Sequence, residues 1–151
     1  GVRAVVALGW GQQEAKTKDA NIFYVKSVPH DWLFPHMAGA VHHGGAGTTA
    51  TSLRHALPTL VVPFGGDQPF WAERVYAAGC GPKAIPRDKL TAENLAEGLR
   101  ALISNPEYTR NAACIGEALR NEHGCANAAD LIEKAVWDWE NGNPAQDGMN
   151  I

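Results

Sequence analysis

The residues best suited to chemistry lie in two clusters, His42-His43-Gly44-Gly45-Ala46-Gly47-Thr48-Thr49 and, further on, Gly65-Gly66-Asp67-Gln68. In the first, Gly44, Gly45 and Gly47 remove the Cβ atoms that keep an anion away from the backbone, while Ala46, Thr48 and Thr49 leave amides and hydroxyls to donate. An apolar run, Ala38 to Val41, leads in, and Ala50-Thr51-Ser52-Leu53-Arg54 leads out with helical character. The glycines therefore fall at a strand-to-helix turn, where the first amides of a helix have no carbonyl behind them and can hold an anion. Phosphate binding is the chemistry this suits; a plain tight turn is the other reading the residues allow. No lysine follows Gly47, which excludes a Walker A loop.

Successive side chains of a strand point to opposite faces, so His42 and His43 cannot both reach one ligand. His43, nearer the turn, is the candidate for a hydrogen bond to a phosphate or to the sugar beside it, and His42 is left as a packed or surface histidine. Asp67-Gln68 joins a charged acceptor to a side chain that both donates and accepts, which suits the reading of sugar hydroxyls. Asp67 is equally placed to cap the helix that Pro69 begins. Trp32, Phe34, Phe70 and Trp71 flank these clusters, and Trp137 and Trp139 read as packing at a helix end.

The elements that must position these residues alternate. Strands are expected at Val2 to Leu8, Ile22 to Val25, Ala38 to Val41 and Thr59 to Val62, with a short one at Lys83 to Ile85. A single helical turn is expected at Trp32 to Phe34, and helices at Thr48 to Ala56 and Pro69 to Ala78, the latter closed by Gly79. Three more follow, capped by Thr91, by Asn105-Pro106, and after Gly124, each with an apolar stripe at helical spacing; the last stripe is Ala128, Ile132, Ala135 and Trp139. Strand alternating with helix implies parallel pairing with ligands at the carboxyl ends of the strands, where both clusters lie.

The 151 residues suffice for one domain with a single core, and a 45% hydrophobic, 19% charged composition is that of a soluble protein. A net charge of −3 without a basic stripe gives no field for nucleic acid, so none is expected as a partner. Three cysteines without C-x-x-C spacing fit neither a zinc knuckle nor a complete disulfide framework, and suggest a reducing, cytoplasmic setting. No secretory signal is visible, and the opening strand reads as a start within a domain.

In order and spacing, Val28-Pro29-His30-Asp31-Trp32-Leu33-Phe34-Pro35, the histidine-glycine cluster, and Pro63-Phe64-Gly65-Gly66-Asp67-Gln68-Pro69-Phe70 resemble the UDP-dependent glycosyltransferases, and within them the sterol glucosyltransferases most. The resemblance implies an α/β, Rossmann-like parallel sheet with flanking helices, the C-terminal half of a GT-B glycosyltransferase. Residues 1–140 would form the UDP-sugar-binding domain, its first strand and helix lying upstream, and 141–151 a disordered tail. Val28 and His30 would contact uracil; His43, Ala46, Gly47 and Thr48 would hold the diphosphate; Asp67 and Gln68 would bind glucose hydroxyls. Plant-type members carry tryptophan and glutamine where this chain has Ser27 and His30, and a ribose-binding glutamate where it has Thr51. No catalytic base, metal or cofactor is expected in this chain. The sterol-like acceptor and the base would belong to an upstream domain, and peripheral membrane contact to the whole protein. Two rivals remain: an NAD(P)-dependent oxidoreductase, since Gly45-Ala46-Gly47-Thr48-Thr49-Ala50 fits G-x-G-x-x-A with Asp67 downstream, and a non-catalytic Rossmann-like binding module.

Overall fold

A computed structural model describes residues 2–9 and 19–142. Strand β1 (Ala4–Ala7) pairs in parallel with β2 (Ile22–Val25), Ala4 opposite Ile22 and Ala7 opposite Val25. Strand β3 (Ala40–His42) pairs in parallel with β4 (Thr59–Val61), with His42 opposite Val61. Parallel neighbours need a crossover, and helix α2 (Ala46–Arg54) supplies it for the second pair. The expected parallel sheet is thus present as two two-stranded sheets among the described residues. The short strand expected at 83–85 is not regular. Ile85 donates its N–H to the Val61 carbonyl and Arg87 to that of Pro63, so the segment runs beside β4, but Pro82 and Pro86 have no N–H to continue a ladder.

Strand β4 is buried throughout, between β3 and the irregular segment around Ile85, and it carries the core. Val61 packs with Ala72 and Val75 of helix α3 (Gln68–Ala77), with Cys80, and with Ala112 of helix α5 (Pro106–Asn121); Leu53, Ala84 and Ile115 close the cluster. A smaller cluster of Phe34, Ala40 and Leu57, with Leu33 and Met37, seats helix α1 (His30–Leu33) and the 3-10 turn after it. Two glycines permit close backbone approach. A Cβ on Gly81 would sit 1.8 Å from the Thr59 carbonyl oxygen, and one on Gly116 would sit 2.4 Å from that of Leu53, where α5 lies along α2.

Two of the later helices begin at the capping residues the sequence marks. Thr91 and Asn94 form a reciprocal capping box at α4 (Ala92–Ser104), and the Asn105 side chain accepts from the Glu107 amide ahead of Pro106. Helix α6 (Gly124–Glu140) forms as expected, but its apolar residues do not pack. Trp137 is 58% and Trp139 80% exposed, so the reading of these tryptophans as packing is corrected. Helical spacing defines an apolar face without specifying a cover for it. The proposed disordered tail lies, from residue 143, outside the described residues, as does most of the polar segment after Gly11.

Candidate functional site

Strand β3 ends at His42, and the chain turns through His43, Gly44 and Gly45 into α2. Gly44 holds φ +89°, a conformation that L side chains avoid, and an added Cβ would lie 2.5 Å from Val61 Cγ1 and 3.2 Å from the Gln68 carbonyl oxygen. Gly45 is the N-cap of α2, and a Cβ on it would lie 2.5 Å from His43 Nε2, so the exposed His43 ring lies directly against the start of the helix. No side chain caps this helix. The first intrahelical bond is from the Thr49 amide to the Gly45 carbonyl, which leaves the amides of Ala46, Gly47 and Thr48 without carbonyl partners. A Cβ on Gly47 would meet no atom within 4 Å. The protein's own packing therefore does not require glycine there, whereas the approach of a ligand to the backbone would.

The two histidines divide as alternation along the strand requires. His42 points inward. Its Nδ1 accepts from the Gly44 amide at 3.0 Å, and its Nε2 lies 3.1 Å from Ser52 Oγ, whose hydroxyl donates to the Thr48 carbonyl at 2.8 Å. Burial first, then the neighbouring His43 and His30, push its pKa down from 6.5 to about 4, so the ring is neutral at pH 7. His42 is thus a bonded, interior residue. Neither its role nor that of Ser52 has a signature in local sequence, although Ser52 does stand one helical turn after Thr48.

The second cluster lies beside the first. Gln68 Oε1 accepts from the amides of Phe64 at 2.8 Å and Gly65 at 3.2 Å, folding the loop after β4 onto itself. Asp67 occupies the N-cap position of α3 but makes no side-chain cap; its Oδ2 instead accepts from the Trp71 indole at 2.8 Å. The capping alternative is therefore not used, and the exposed carboxylate stays on the surface next to the cradle. The sequence marks Trp71 only as a flanking aromatic, with no sign of this bond. Beyond this loop an open cleft of about 450 Å³ is bounded by Pro63, Phe64, Arg87 and Asp88, with the Arg87 guanidinium 4.9 Å above the Phe64 ring.

The remaining candidates sit at the end of β2. His30 opens α1 with its ring stacked on Phe34, 4.7 Å between centroids and 7° between planes. Val28 is half-buried and lines an apolar cleft with Val25, Trp32, Leu33 and Met37. Thr51, where a ribose-binding glutamate stands in plant-type members, turns its hydroxyl back to the Gly47 carbonyl at 2.9 Å. Among the described residues no group of three or more His, Cys, Asp or Glu could hold a metal ion, and no helix is long and apolar enough to cross a membrane.

Strand ends, anion-competent helix start and acceptor-bearing loop together are the arrangement of a Rossmann-like domain, the C-terminal half of the GT-B glycosyltransferase fold. A family model described as the C-terminal domain of erythromycin biosynthesis protein CIII-like proteins matches residues 4–133, and the chain belongs to that family. It is 44% identical over 134 residues to a sterol 3-beta-glucosyltransferase of Arabidopsis thaliana, covering 87% of this chain and 22% of that protein. Among solved structures, the glycosyltransferase of kitacinnamycin aligns over 87% of this chain and 34% of its own at 27% identity, with a TM-score of 0.77. The glycosyltransferase VinC, solved in complex with dTDP, aligns over 68% of this chain and 26% of its own at 33% identity, with a TM-score of 0.65. The chain thus spans about a fifth of the length of that Arabidopsis relative and about a third of the kitacinnamycin structure.

Proposed function

We propose that this chain is the donor-binding half of an inverting glycosyltransferase that uses UDP-glucose or a related UDP-sugar and delivers the hexosyl group to a sterol-like hydroxyl acceptor. The observation that carries the proposal is the contact between the two clusters. Gly44 abuts Gln68, so a helix start with three uncommitted amides and a loop bearing an exposed carboxylate share one surface. A nucleotide-sugar needs that pairing, an anion site next to a polyol site. Val28 and His30 serve the base, His43, Ala46, Gly47 and Thr48 the diphosphate, and Asp67 and Gln68 the sugar hydroxyls.

In the reaction a base on the acceptor side removes the proton of the acceptor hydroxyl, whose oxygen attacks the anomeric carbon as the bond to the UDP oxygen breaks. Negative charge then grows on the diphosphate. The uncapped α2 amides and the His43 ring lie where they stabilise it without reorganising, work for which a resident metal is not needed; removing one such donor typically costs about 10²- to 10³-fold in rate. The acceptor pocket and the base are assigned to a separate domain, and any membrane contact to the whole protein.

Titrating the chain with UDP, UDP-glucose and NADH tests the reading. UDP and UDP-glucose should shift the amide resonances of 46–48, UDP-glucose should also perturb Trp71, and NADH should do neither. Binding of NADH in preference to both would overturn it in favour of a dinucleotide site.

A further inference from the structure

Five consecutive amides, from Gly44 to Thr48, run through the turn into α2, and the last three are the leading amides of the helix. The Gly44 N–H is withdrawn because it donates inward to His42 Nδ1 at 3.0 Å. An amide can only donate, so Nδ1 must be the bare nitrogen of the ring and the single ring proton must sit on Nε2. That proton then goes to Ser52 Oγ, 3.1 Å away, and the Ser52 hydroxyl, having accepted it, donates its own hydrogen to the Thr48 carbonyl at 2.8 Å. Each donor in the chain has one acceptor, and the direction of every bond is fixed by the first. Ser52 is fully buried, so the sequence of bonds is shielded from water where it crosses from strand to helix.

We infer that His42 is the positioning residue of the cradle, locked as the neutral Nε2–H tautomer so that it ties the Gly44 peptide to the first turn of α2 and sets the direction of the Ala46, Gly47 and Thr48 amides. The inference rests on the diphosphate reading of those amides. His42 acts through them and touches no ligand itself. The ionisable groups acting on it are His43, next to it on the strand end, and His30 on α1; α2 contributes only the uncharged Ser52 and Thr48 to the chain of bonds. Protonation would put an N–H against the Gly44 N–H, two donors face to face, and the turn would have to move.

The test combines ring-nitrogen NMR of the chain, labelled with 15N, with UDP titrations of three variants. In the wild type, His42 should show a bare Nδ1 and a protonated Nε2 at pH 7, with no change of state down to pH 5. His42→Asn keeps an acceptor near the Nδ1 position, whereas His42→Phe fills the space with no acceptor; Ser52→Ala removes the relay to Thr48. The His42→Asn variant should bind UDP within about fivefold of wild type, and the His42→Phe variant about 30-fold more weakly, with Ser52→Ala between them. Thermal melting identifies variants that lose the fold, and the ring tautomer is read on the wild type alone. An Nδ1–H tautomer, a charged ring at pH 7, or equal UDP affinity of a folded His42→Phe variant would each overturn the inference. If instead UDP leaves the 46–48 amides of the wild type unmoved, the diphosphate reading fails first and takes this inference with it.

Discussion

The turns after β3 and after β4 begin alike, each a glycine-bearing passage from a parallel strand into a helix, and they end as opposites. In the first, no side chain caps α2, and its leading amides stay uncommitted. In the second, no side chain caps α3 either, but it has fewer amides to offer: that of Gln68 goes to the Gly65 carbonyl and Pro69 has none, while Gln68 Oε1 takes the loop amides of Phe64 and Gly65 and the Trp71 indole donates to the Asp67 carboxylate. One turn presents donors and the other an acceptor. The difference shows that a glycine-rich strand-to-helix turn is not in itself an anion site; what decides is how many of the helix's leading amides the chain leaves free.

The contrast can be broken most severely at Gly44. Replacing it with alanine sets a Cβ against Val61 Cγ1 at a φ of +89°, and about 3 kcal/mol of stability should be lost, read as a lower urea midpoint. Acid should act next through His42. Its folded pKa of about 4 lies below the unfolded 6.5, so the unfolded chain binds the extra proton; the contribution is whole above pH 6.5, declines as pH falls, and is gone by about pH 4. Denaturant titrations between those limits should show a fall of up to about 3 kcal/mol, part of which His42→Phe should abolish. Gly47→Ala makes the sharper comparison with Gly44. With no atom near its Cβ it should leave the melting temperature unchanged or slightly raised, yet weaken UDP about tenfold, or about 1.4 kcal/mol. Smallest is Asp67→Asn in the second turn. UDP should bind as before, while the margin by which UDP-glucose exceeds UDP should shrink by about 1 kcal/mol, measured by calorimetry.

Much of this is legible in the residues alone. A β-rich run closed by a residue before proline sets β2 at its observed limits, and proline after a capping asparagine places the start of α5, because these signals are local and steric. Strand alternation sends His42 and His43 to opposite faces, and nearness to the turn picks out His43. Three features are not readable. The bond from His42 to Ser52 spans ten residues between a strand and a helix and obeys no period. The fate of the Asp67 carboxylate depends on a tryptophan one turn further on that a capping rule does not consider. The apolar stripe of α6 predicts a face, but burial depends on what lies opposite, and Trp139 remains 80% exposed.

The parallel pairing of Ala40 with Thr59 and of His42 with Val61 has a kinetic consequence. Helices α4 to α6 are stabilised by bonds between near neighbours in sequence and need no distant partner to start forming. The β3–β4 register must close a loop around α2 first, losing that entropy before any contact compensates it. Both glycine-bearing turns hang from the ends of this pair, so neither acquires its shape until the register is made. In a refolding experiment, UDP competence should appear together with amide protection at residues 40–42, and after most of the helical signal has already returned.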